Sequence, residues 1–187
     1  MTRLAFAFVL LLGAPAFGAE VAGVQVADKV AVDSRDLALN GAGLRTRLFF
    51  RVYVVGLYLP EKKRDAAAVL AEPGPKRIAI HMLRDVGADT FSEALVEGLK
   101  ANHSQAEYPA LEARVKQLEA IMAQVQEAKK GMAIALDWAG GATRVSIDGK
   151  PAGEPIAGDD FYRALLRIWL GEHPVQDDVK QALLGGR

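Results

Sequence analysis

Leu48-Phe49-Phe50-Arg51-Val52-Tyr53-Val54-Val55-Gly56-Leu57-Tyr58-Leu59 is the most apolar strand-like run in the chain. Its aromatic and β-branched residues suit a pleated surface packed on both sides, which marks a central strand rather than an edge. Pro60 ends the run, since proline has no N–H for the ladder. If the strand continues unbroken from the preceding residues, Arg45, Arg47, Phe49, Arg51, Tyr53, Val55, Leu57 and Leu59 share one face. A bulge between positions 45 and 53 removes that relation.

Working outward, residues 24–32 (VQVADKVAV) alternate as two short strands, and residues 36–44 (DLALNGAGL) lead into the central run. Asp65 is placed to cap a short helix over Ala66–Glu72, which Pro73 stops. Lys76–Leu83 reads as a strand. Thr90-Phe91-Ser92-Glu93 has the capping-box pattern and predicts a helix to about Ala101. Leu111, Val115, Leu118, Ile121, Met122 and Val125 recur at spacings of three and four. They predict a helix over residues 108–130 with Lys129 and Lys130 in its last turn and Gly131 as its cap. Strands over residues 132–138 and 142–148 flank a Gly140-Gly141 hairpin turn. A Gly-Lys-Pro-Ala-Gly loop follows. Asp159 or Asp160 then caps a helix ending at Gly171, and Pro174 opens a last helix to about Leu184. Strands grouped in hairpins rather than alternating with helices indicate an α+β fold, a mostly antiparallel sheet with helices over one face.

The first twenty residues read differently. Arg3 precedes an apolar run from Leu4 to Leu12, Gly13 and Pro15 break it, and small residues follow. This is the order of a cleavable signal peptide, residues 1–18, with Ala16 and Gly18 at the cleavage positions. The run falls short of the ~20 apolar residues a spanning helix needs. The expectation is an exported, periplasmic protein with no stable membrane insertion after cleavage. The remaining 169 residues suffice for one domain with a substantial core. The chain has no cysteine, so an exported form is held by its core and not by disulfides. Removal of Arg3 leaves 22 basic and 23 acidic groups, a balance that offers no electrostatic case for nucleic acid or an anionic membrane.

Few side chains suggest chemistry. His81, His103 and His173 have no metal-ligand spacing to one another, so no metal is expected. No G-x-S-x-G or H-E-x-x-H occurs. Asp159-Asp160 and Asp177-Asp178 sit where helix starts favour acids. Arg45 stands out. A guanidinium beside an apolar sheet face needs an anion, which either a ligand or an internal acid such as Asp85 could supply.

Asn40-Gly41-Ala42-Gly43-Leu44-Arg45, Val52–Leu59 and Leu83-Arg84-Asp85-Val86 together resemble the chalcone isomerase-like family. The Ile147-Asp148-Gly149 turn, Phe161–Leu166, Ile168–Gly171, Pro174-Val175 and Lys180–Leu184 continue the resemblance. It spans a domain of residues 22–185 and is similar above all to the exported bacterial branch. The resemblance implies an open-faced β-sandwich, a large antiparallel sheet covered by a layer of helices, with a ligand cleft between them. In the plant enzymes an arginine after Gly-Ala-Gly helps hold the reacting phenolate of a chalcone, and Arg45 matches it. Tyr53 falls where those enzymes carry a threonine. Tyr108 aligns with their helix tyrosine, but the asparagine seven residues further on is replaced by Val115.

Non-catalytic relatives bind fatty acids in the same cleft through an arginine and a tyrosine. The resemblance therefore implies Arg45 and Tyr53 as carboxylate partners, Val55, Leu57 and the 108–130 stripe as apolar wall, and Tyr108 as a further ligand-binding residue. The expected protein is a non-catalytic binder of an apolar small molecule with an acidic group, without cofactor. The alternatives are an isomerase of the intramolecular lyase type and a structural or partner-binding envelope protein. The oligomeric state is left open.

Overall fold

The computed structural model describes residues 17–186. The expected signal peptide, residues 1–18, therefore lies outside the described residues except for Phe17 and Gly18. Eleven strands are formed by the described residues: β1 Phe17–Val21, β2 Val24–Ala27, β3 Lys29–Val32, β4 Arg35–Arg47, β5 Phe50–Leu59, β6 Lys76–Met82, β7 Val86–Gly87, β8 Glu127–Ala128, β9 Ala133–Ala139, β10 Ala142–Ile147 and β11 Lys150–Ala157. The helices are α1 Ala66–Ala71, α2 Ala88–Ala101, α3 Tyr108–Ala123, α4 Asp159–Leu170 and α5 Asp177–Leu183.

Seven strands form one antiparallel sheet in the order β11-β10-β9-β6-β5-β4-β3, while β1-β2 and β7-β8 make separate two-stranded ribbons. The sheet is curled into a half-barrel with the helices packed against it, the α+β sandwich expected. On one face Val55, Leu57, Leu59, Ile78, Ile80, Leu136 and Val145 pack with side chains from all five helices. On the other, Val54 and Tyr58 join Val26 of the β1-β2 ribbon, Leu37 and Leu39. Burial on both faces explains why β5 shows little polar alternation. Helix α4 is the centre of the core: eight of its twelve residues are buried. Each fully buried large apolar side chain there contributes roughly 1.5–3 kcal/mol.

The turn at Leu48-Phe49 divides the run that reads as one strand. Arg35–Arg47 and Phe50–Leu59 are two arms of a hairpin, with Arg47 opposite Phe50. The shared-face relation drawn for a single unbroken strand is overturned. Residues 45 and 53 nevertheless meet, because the hairpin register pairs Arg45 with Tyr53.

Four other boundaries differ for tertiary reasons. Helix α3 ends at Ala123, not at residue 130, because Glu127 and Ala128 pair with Gly87 and Val86. Lys129 and Lys130 therefore lie outside it. Helix α2 starts at Ala88, so Thr90 and Glu93 lie inside it and form no capping box. Its start is set by the same ribbon, where the Ala88 N–H donates to the Gln126 carbonyl at 3.2 Å. The segment after Gly149 is edge strand β11, where prolines 151 and 155 need no N–H for a further neighbour. Helix α5 starts at Asp177, leaving Pro174 in the preceding loop.

Gly41 and Gly43 explain how α5 sits on the sheet. A Cβ on Gly41 would stand 2.0 Å from the Ala182 carbonyl oxygen, and one on Gly43 would stand 3.1 Å from the Ala182 Cβ. Neither glycine has a positive φ; space alone excludes a side chain at Gly41 and crowds one at Gly43. The adjacent Asn40 is buried and bridges two segments. Its amide donates to the Leu183 carbonyl at 2.6 Å and the Lys63 carbonyl at 2.9 Å, and its oxygen accepts from the Lys63 N–H at 2.6 Å. Gly41→Ala is expected to destabilise the protein by about 3 kcal/mol through overpacking. Gly74→Ala, whose new Cβ meets only ordinary contacts of 3.6 Å or more, should stay within about 0.5 kcal/mol of wild type. Urea unfolding of the two variants measures the difference.

Candidate ligand-binding site

Between the outer end of the β4-β5 hairpin, α2, the end of α4 and the loop before α5 lies a cavity of about 680 Å³. That volume suits a small molecule. Its inner walls are apolar: Ile80 from β6, Leu95 and Gly98 from α2, and Ile168 and Trp169 from α4. Gly98 lets α2 approach α4, since a Cβ there would stand 2.9 Å from Ile168 Cγ2. The mouth carries the exposed residues Arg47, Leu48, Phe50, Arg84, Glu97 and His173.

Arg45 and Tyr53 both line this cavity. Their proximity follows from β4-β5 register, since directly opposed residues project from the same face. The Trp169 side chain is buried, and its indole N–H requires an acceptor. It donates to the Tyr53 hydroxyl oxygen at 3.1 Å. The Tyr53 proton makes no hydrogen bond among the described residues and is free to be donated into the cavity. Burial raises the Tyr53 pKa above its ordinary 10.0, while the Trp169 hydrogen bond and the Arg45 charge oppose that rise.

Arg45 donates to the Thr46 carbonyl and, at 3.2 Å, to the Gln176 side-chain oxygen. The same oxygen accepts from the Thr46 N–H at 3.0 Å. No carboxylate pairs with Arg45 among the described residues. The alternative of an internal pair with Asp85 does not hold: Asp85 accepts from the Lys130 N–H at 2.7 Å. The guanidinium is thus oriented at the cavity wall by neutral oxygens, without an acidic partner among the described residues.

The loop carrying His173, Pro174 and Val175 forms a further wall and is held at three points. Asn102, at the end of α2, donates to the His173 carbonyl at 2.8 Å and accepts from the His173 N–H at 3.0 Å. Lys180 donates to the Gly171 carbonyl at 2.7 Å. Gln176 is held by Arg45 and Thr46.

The other residues singled out by sequence lie elsewhere. Val55 and Leu57 are wholly buried in the core and do not line the cavity, because the wall runs along the outer end of β5. The 108–130 stripe also packs into the core, through Leu111, Val115, Leu118, Ile121 and Met122. Tyr108 does not line the cavity; the Lys100 ammonium stands 5.3 Å from its ring centre. Sequence reading did not assign α2, Trp169 or Gln176 to the site. The spacing of Phe91, Leu95 and Gly98 was a detectable helical signal, as was a tryptophan in an otherwise apolar helix end. The Gln176 contact has no sequence signal, because its partners Arg45 and Thr46 are 131 and 130 positions away.

The sequence model of the family described as chalcone isomerase-like matches residues 18–185. The chain belongs to the chalcone isomerase-like family. A search among curated proteins found no match. Among solved structures, this chalcone isomerase-like chain is similar to a fatty-acid binding protein of Arabidopsis thaliana. The TM-score is 0.66 at 16% identity, over 87% of this chain and 92% of that one. At that identity the likeness carries the fold alone.

Because the folded pKa of Tyr53 is raised, its contribution to stability is fully present below about pH 10, the value in the unfolded chain, and is lost as pH rises through the folded value. Arg45→Leu removes one of the influences that lower this pKa. Ultraviolet titration, with Tyr53→Phe as reference, should show the Tyr53 transition moving to still higher pH in Arg45→Leu.

Proposed function

We propose that the cavity binds an apolar small molecule bearing a carboxylate, fatty-acid-like in chemistry. The observation that carries this reading is Arg45, a guanidinium with no acidic partner among the described residues, beside a Tyr53 hydroxyl whose proton is free. Together they offer a carboxylate one charged and one neutral donor. Ile80, Leu95, Ile168 and Trp169 supply the dry surface for a hydrocarbon portion. The fatty-acid binding protein with the same fold supports the reading by analogy.

Binding is favoured over isomerisation. Ring closure on a chalcone-like substrate requires polar groups preorganised at the developing enolate. Tyr108, the position the resemblance assigns to the helix tyrosine, stands outside the cavity, and Val115 is buried in the core.

Isothermal titration with long-chain fatty acids and their methyl esters tests the proposal. The free acids should bind, and Arg45→Leu should weaken them by about 10- to 100-fold, the worth of a hydrogen bond to a charged group. The esters should be nearly indifferent to the substitution. Acid binding that ignores Arg45, or Arg45-dependent flavanone formation in a chalcone turnover assay, would overturn it.

We further propose that the protein belongs to an exported bacterial branch of the family and works in the periplasm. The support is the N-terminal sequence: Arg3, the apolar run to Leu12, and the small residues up to Gly18. The regular pairing of β1 with β2 runs from Ala19 to Val21, so a chain beginning at Ala19 keeps that ribbon. N-terminal sequencing of protein recovered from the periplasm of an expressing bacterium should begin at Ala19. Recovery of the intact chain from the cytoplasm would rule the proposal out.

A further inference from the structure

The large apolar side chains left exposed among the described residues are three consecutive ones: Leu48, Phe49 and Phe50, at 85%, 98% and 55% exposure. They form the tip of the β4-β5 hairpin. The loop has two residues, and Leu48 adopts a φ of +55°. Glycine fills such a position without steric cost, whereas a side chain there is strained. The chain thus keeps leucine where turn geometry favours glycine, and presents its side chain to solvent.

Basic groups surround the tip. Arg47 and Arg51 flank it along the two strands, both exposed. Arg84, from the turn after β6, lies over the Phe50 ring at 4.4 Å from its centre. None of these three arginines has an ion-pair partner among the described residues. The acids at the cavity mouth are Asp85, which is engaged by the Lys130 N–H, and Glu97 on α2 across the opening. The near-zero net charge of the whole chain conceals this local concentration.

We propose that the hairpin tip docks the protein reversibly on the interface of an anionic phospholipid bilayer. Leu48, Phe49 and Phe50 enter the acyl boundary, and Arg47, Arg51 and Arg84 meet the phosphates. Exposed apolar side chains ringed by unpaired arginines match the two components of interfacial binding, apolar burial and attraction to anionic headgroups. No helix among the described residues is long and apolar enough to cross a membrane, so the contact is a surface one. Leu48, Phe50, Arg47 and Arg84 also line the cavity mouth. Docking therefore sets the opening against the lipid, the phase in which a fatty-acid-like ligand is concentrated. The docking itself does not depend on the identity of that ligand.

Phe49 and Arg51 do not line the cavity, so substituting them separates docking from ligand binding. The experiment is co-sedimentation of the full-length mature protein with vesicles of phosphatidylcholine alone and of phosphatidylcholine with phosphatidylglycerol. Wild type should bind the anionic vesicles preferentially, and binding should fall with added salt as the Debye length shrinks. Phe49→Ser should reduce binding about tenfold and Arg51→Gln about fivefold, near the worth of one interfacial arginine. Both variants should keep the wild-type melting temperature and wild-type fatty-acid titration in solution. Equal binding of wild type and Phe49→Ser to anionic vesicles would overturn the proposal, as would no vesicle binding at all. So would a Phe49-dependent dimer in lipid-free sedimentation velocity, which would assign the patch to a second copy of the chain. Fatty-acid binding that ignores Arg45→Leu, with Phe49-dependent vesicle binding intact, would sink the ligand reading and leave the docking standing, so the two readings fail separately.

Discussion

The turn at Leu48-Phe49 folds Arg35–Arg47 back along Phe50–Leu59, and three features rest on that pairing. It sets Arg45 across from Tyr53. It places Gly41 and Gly43 opposite Leu57 and Val55, so that a strip of bare backbone lies on the helix-facing side. It also carries Leu48, Phe49 and Phe50 to the sheet's outer end. A one-residue slip of the hairpin would send every one of these groups to the wrong face, because side chains alternate along a strand. Val55, Leu57 and Leu59 on one face and Val54 and Tyr58 on the other are all buried, which makes such a slip costly.

Packing and electrostatics are joined at α5. The helix approaches β4 closely because Gly41 and Gly43 leave room for Ala182. That approach brings Gln176, just ahead of the helix, to the end of β4, where its oxygen receives the Arg45 guanidinium and the Thr46 N–H. The result is an arginine oriented by neutral acceptors, with no ion-pair partner among the described residues. Asn102 and Lys180 hold the rest of the same loop, which ties the wall containing Pro174 and Val175 to the end of α2 and to α5.

The cavity is graded in polarity. Its inner surface is formed by Leu95, Ile168 and Trp169, Arg45 and the Tyr53 hydroxyl stand at its wall, and its mouth is edged by Arg47, Arg84, Glu97, His173 and exposed apolar side chains. The Trp169–Tyr53 hydrogen bond belongs to this grading. It satisfies a buried indole and consumes the tyrosine as acceptor, leaving its proton for something else. The cavity thus runs from an apolar interior, past a positive point at its wall, to a rim where arginines and exposed apolar side chains stand beside Asp85 and Glu97.

The sequence alone determined the α+β class, because hairpin signals such as Gly140-Gly141 and runs such as Lys76–Met82 depend on local periodicity and turn chemistry. The Asp65 cap was legible for the same reason: its carboxylate accepts from the Ala68 N–H three residues on, at 2.8 Å. Arg45 was legible from the mismatch between a charged residue and an apolar neighbourhood. The start of α2 and the end of α3 were not, since the backbone bonds of the β7-β8 ribbon join segments some forty residues apart and outweigh local helix preference. Nor could sequence separate Tyr53 from Val55 and Leu57, three residues of like alternation on one strand. Only tertiary structure decided that α2 and Trp169 open a space beside the first, while the helices fill the space above the other two.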